Sequence, residues 1–185
     1  ELRQRALGIL ARDEDEWAQQ TLIAGLQGAQ AWLPPEKALQ LLSSSIHANV
    51  YPVARELAMK SKKHGVRAEA IRALASDAGS KDFLRAILAD KNEAASIRQV
   101  AATALQAAAP DELQAEARKI VLDTDEHDEL KATCFVALAN FGPAADGATS
   151  DEPLKQEAKR LVRKQRGASK EGATQYLTTV ERRGK

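Results

Sequence analysis

The densest set of side chains able to do chemistry is Asp123-Thr-Asp-Glu-His-Asp-Glu129, with five carboxylates and one imidazole in seven residues. Hard cations take clustered carboxylate oxygens, so calcium is the first chemistry to test. The spacing speaks against it. In a twelve-residue calcium loop counted from Asp123, Asp128 falls where the sharp turn needs glycine, and no glutamate stands at the last position. Acidic residues just ahead of a helix have a simpler use in capping and in the helix dipole. His47, His64 and His127 are isolated, and no HExxH pair occurs. Phosphate-loop, nucleophile-elbow and dinucleotide motifs are missing as well. The single cysteine, Cys134, excludes an internal disulfide and a cysteine-based zinc site. It fits a reducing compartment, with the cytoplasm favoured. No catalytic residue, metal ligand or cofactor is expected.

Bulk properties narrow the partners. With 27 basic and 26 acidic residues the net charge is +1, so no global field draws in a polyanion. Charge is uneven locally: residues 155–185 carry a net +7 and residues 111–152 a net −8. Such runs are usually solvated faces. Hydrophobic residues make up 44% and aromatics only 4%, which suits closely packed small helices better than a β-sandwich. No run approaches the roughly 18 apolar residues of a membrane span. The chain opens at Glu1, in mid-pattern and without Met, and reads as a fragment of a longer polypeptide or a processed product.

The elements behind these residues come from a repeat. Segments starting at Leu2, Pro34, Val66, Ile97 and Leu130 align at spacings of 32, 32, 31 and 33 residues. A fixed period in this range marks stacked repeats. Leu10, Leu42, Leu74, Leu105 and Leu138 form an unbroken leucine column, and Ala6, Ala38, Ala70, Ala101 and Cys134 a small-residue column four positions earlier. That is the stripe of a helix facing a core, and it makes Cys134 a packing residue. Further helices are expected at Trp17 to Leu26, Val53 to Lys60, Lys81 to Ala89 and Glu112 to Leu122, with Ser80 and Asp111 as N-caps. Breakers stand at Pro34-Pro35, Pro52, Gly65, Gly79, Pro110 and Gly142-Pro143.

Val66-Arg67-Ala68-Glu69-Ala70-Ile71-Arg72-Ala73-Leu74 and the matching run Ile97–Leu105 resemble the second helix of HEAT repeats, especially the short bacterial type. The resemblance covers residues 2–141. Pro34-Pro35 departs from the family's apolar–Arg pair, and the loops after Asp90 and Asp123 are longer than its pattern. The implied fold is all-α: an α-solenoid of about five stacked helix–turn–helix units with a helical C-terminal cap. Residues 1–143 are the array, its first repeat incomplete. Residues 144–151 are a loop, and residues 152–185 a cap with helices from Glu152 to about Arg166 and from Ala173 to about Arg183.

In the family, an Arg at the place of Arg3, Arg67, Arg98 and Lys131 pairs with a loop Asp, which the resemblance assigns to Asp90 and Asp123. The implied function is non-catalytic: a scaffold that binds a protein partner on the concave side, lined by second helices. Their outward positions include Arg5, Gly8, Arg12, Lys37, Gln40, Glu69, Arg72, Thr103 and Asn140. All of these except Gly8 are the candidate partner-binding residues. Two rival readings exist. HEAT-like DNA glycosylases bind nucleic acid, but need a basic concave row and aromatic residues that Trp17, Trp32, Tyr51 and Tyr176 are too scattered to supply. HEAT-like enzymes include lyases and an iron hydroxylase using His-Glu pairs, and no His here precedes Glu.

Overall fold

The computed structural model describes residues 2–43, 49–140, 152–163 and 167–183, and among these the chain is helical with no strand. The order is α1 (Leu2–Arg12), α2 (Glu16–Leu26), α3 (Pro35–Ser43), α4 (Val50–Lys60), α5 (His64–Ala73), α6 (Lys81–Ala89), α7 (Ala95–Ala108), α8 (Pro110–Leu122), α9 (Asp128–Asn140), α10 (Glu152–Arg163) and α11 (Ala168–Arg183). Two 3-10 turns, Leu74–Ser76 and Ala78–Ser80, precede α6. The expected loop at 144–151, Gly142-Pro143 and His47 lie outside the described residues.

Several expected breakers open helices. Pro35 is the first residue of α3, Pro110 of α8, and Pro52 and Gly65 fall in the first turns of α4 and α5. Proline is tolerated there because the first N–H groups of a helix have no partner to lose. Asp111 is consequently not a cap: it sits in the first turn of α8, whose N-cap is Ala109. Ser80 is buried, and its hydroxyl donates to Asp77 Oδ2 at 2.6 Å and accepts from Arg55 Nη1 at 3.1 Å.

The chain divides into two compact units, Glu1–Lys81 and Asp82–Lys185. In the first, α1, α3 and α5 pack in succession, with α2 and α4 beside them. Leu7, Ala11, Leu22, Ala38, Leu42 and Val50 form one core cluster there, and Leu33, Trp32 and Tyr51 close over it. The stripe expected of α1 holds only in part. Leu2 is 84% exposed, Leu10 38%, and Ala6 is exposed too, because no described helix lies over that side of α1.

In the second unit α7, α9 and α11 follow one another, α8 lies against α7 and α9, and α10 against α8 and α11. The two C-terminal helices thus pack as a helix pair on the pair before them. Helix α11 starts at Ala168, five residues earlier than the sequence suggests, and Gly172 is an interior residue. A Cβ at Gly172 would stand 2.6 Å from the Ala132 carbonyl oxygen. The glycine is what lets α11 approach the α9 backbone. Next to this crossing the Phe135 and Tyr176 rings meet at 5.7 Å between centroids, tilted by 50°.

Candidate functional site

Three members of the recurring cation column, Arg67, Arg98 and Lys131, are tied into the fold, whereas Arg3 is exposed on α1. Arg67 Nε donates to the Ala58 carbonyl oxygen at 2.8 Å, and Arg98 Nε to that of Leu88 at 2.8 Å. Both carbonyls belong to the last turn of the preceding helix, where backbone oxygens lack helical partners and a positive charge suits the dipole. Arg98 also holds Glu126 with both terminal nitrogens, at 2.8 and 2.7 Å. These side chains are only 2% and 3% exposed. The carboxylate is therefore Glu126, not Asp90 or Asp123. Asp90 accepts from the Asn92 backbone, and Asp123 pairs with Lys91. The shift has a physical reason: Glu126 reaches into the buried space around Arg98, whereas Asp123 stays at the loop surface. One unit on, Lys131 is buried with Glu157 at 3.9 Å.

This accounts for much of the acidic segment. Burial pushes the Glu126 carboxyl up, but the Arg98 hydrogen bonds and the His127 N–H outweigh it and hold it below the ordinary range. The Lys91 hydrogen bond holds Asp123 low. Among the described residues no group of three or more His, Cys, Asp or Glu is placed to hold a metal ion. Cys134 is fully buried, and desolvation pushes its thiol up to about 12. It is a packing residue, not a nucleophile at neutral pH.

A groove of about 550 Å³ lies in the first unit, between α1 and α3. Arg5 and Arg12 rise from α1 and Lys37 from α3; all three are exposed. None makes an ion pair or hydrogen bond with another described side chain. Between them lies an apolar floor of Gly8, Ile9, Leu33, Pro34 and Leu41. Gly8, expected to face outward, is buried at the base of the groove: a Cβ there would lie 3.7 Å from Leu41 Cδ1. The absent side chain is what leaves room. The Leu33–Pro34 part of the lining is fixed from α1, where Gln4 Nε2 donates to the Trp32 carbonyl at 3.0 Å and the Arg3 guanidinium lies 5.7 Å from the centre of the Trp32 ring.

The groove gathers three of the sequence-derived candidates, Arg5, Arg12 and Lys37. Gln40 is exposed on α3 but does not line it. On α5, Arg72 pairs with Glu69 at 2.7 Å, so the cationic row ends there in a neutral pair. Thr103 and Asn140 are exposed in the second unit, on α7 and α9. Sequence reasoning missed Gln4, Ile9, Leu33, Pro34 and Leu41. The one available signal was Gly8, a glycine in a column whose other members all carry side chains.

No family model, no curated protein and no solved structure matches the chain. Among the described residues, no helix is long and apolar enough to cross a membrane.

Proposed function

We propose that the chain is a non-catalytic protein-binding module of HEAT-like type, with its helix pairs arranged as a solenoid and a partner held on the exposed face of the second helices. The repeat period and the succession of α1, α3 and α5, and of α7, α9 and α11, support the architecture. The observation that carries the binding role is the groove between α1 and α3, where three cations with no ion pair among the described residues surround an apolar floor. Packed cores do not leave such groups on helices by necessity, whereas a rigid preformed face lowers the cost of holding a ligand.

The test is capture of a native partner by the wild-type chain and by two charge-reversed variants. Reversal at Arg5, Lys37 and Arg72 together is expected to remove the partner while helical content and melting stay as they were. Reversal at Lys159 and Arg163 on α10 is expected to keep it. Loss with the α10 variant alone would move binding to the basic C-terminal segment and sink this reading.

A further inference from the structure

We infer that the groove between α1 and α3 takes a short acidic, leucine-rich peptide segment, with carboxylates at Arg5, Arg12 and Lys37 and aliphatic side chains over Gly8, Ile9 and Leu41. The inference rests on the protein-binding reading and specifies the partner's chemistry.

Three features select this ligand. The first is charge: three cations with no ion-pair partner among the described residues stand around one depression, and the matching ligand is anionic. The second is the floor. Ile9 is 58% exposed and lies one helical turn from both Arg5 and Arg12, so an anion seated on the cations must cover it. Exposed ion pairs are individually weak, so the apolar contact is needed as well. The third is extent. The cationic row stops at the Glu69–Arg72 pair on α5, and the groove lining holds no aromatic ring for base stacking. A nucleic acid strand would need a longer basic track and such rings. A short peptide fits within the row.

Geometry sets the spacing. Arg5 and Arg12 are two turns apart on α1, about 10 Å along its axis. A peptide in polyproline II conformation covers about 9 Å in three residues and returns its side chain to the same face after each turn. Two carboxylates bracketing a pair of leucines therefore face the two arginines, and the leucines flank them along the floor.

Fluorescence anisotropy with the full chain and a labelled peptide of sequence GELLELLEG tests this directly. Binding is expected below about 1 mM and weaker as salt rises. The glutamine peptide GQLLQLLQG and the serine peptide GESSESSEG are each expected to bind at least about tenfold more weakly. In the protein, Lys37→Glu on the exposed face is expected to weaken binding by about tenfold or more. Gly8→Leu fills the floor and is expected to abolish binding while melting stays level or rises, since glycine is a poor residue inside a helix.

No binding of GELLELLEG by the folded wild-type chain overturns the inference. So does equal binding of the serine peptide, or full binding by both Lys37→Glu and Gly8→Leu. If a native partner is still captured by Gly8→Leu but lost with Arg72→Glu, the groove is wrong and the scaffold reading survives. If no second-helix substitution affects capture, both fall.

Discussion

Arg98 and Lys131 show how a recurring charged residue becomes part of the frame. Each is almost wholly buried and faces a glutamate of the helix pair that follows. Burying a charge is costly unless it is paired and hydrogen-bonded, and Arg98 meets that condition with three bonds, one to Leu88 and two to Glu126. Removing one partner leaves the other stranded, so Glu126→Gln should cost about 3–5 kcal/mol at neutral pH. The pH dependence has a definite sign. The Glu126 carboxyl is held low in the folded chain, so its contribution is complete above the ordinary glutamate value. It is lost as the pH falls below about 4, through the depressed folded value. Urea unfolding from pH 7 to 3 should show the gap between wild type and Glu126→Gln closing as acid is added. A gap that stays constant would mean that Glu126 is not ionised against Arg98.

At the scale of the element, the repeat register makes a sharper claim than helix assignment does. Leu74 belongs to the leucine column and is fully buried, although it lies in a 3-10 turn just beyond α5. Leu74→Ala should destabilise by about 2–5 kcal/mol, the cost of emptying a packed leucine site. Arg72, two residues earlier, is exposed and makes a surface pair with Glu69. Arg72→Ala should change stability by less than about 0.5 kcal/mol. Parallel denaturant titrations check both, and equal losses would contradict the register. Periodicity placed the start of α6 and the ends of α2, α4 and α8 where the structure has them. It failed at the start of α11, which begins five residues before Ala173 and takes in Gly172. The close approach of α9 is the reason a glycine stands inside that helix.

At the scale of the molecule, the division into units Glu1–Lys81 and Asp82–Lys185 predicts that damage stays local. Segments of a folded chain open with different free energies, and contacts within one unit hold that unit. Gly172→Ala would press a methyl group against the Ala132 carbonyl oxygen, 2.6 Å from the new Cβ. Hydrogen exchange should speed up in α9 and α11 and stay unchanged in α1 to α4. Faster exchange throughout would show the whole chain unfolding as one cooperative block.

The sequence by itself determined the helical class, the burial of Cys134 and most of the leucine and small-residue columns, which fail at Leu10 and Ala6. These follow from spacing along one chain, and a 3.6-residue stripe needs no knowledge of neighbours. Three of the groove's residues were legible too, since Arg5, Arg12 and Lys37 fall at outward positions of that stripe. Only the tertiary structure decided which of the candidates meet. It set Arg72 against Glu69, paired Arg98 with Glu126 rather than an aspartate, and turned Gly8 from an outward residue into the floor of a groove. Those outcomes depend on which side chains from other helices arrive within a few ångströms, a distance that spacing along one helix does not contain.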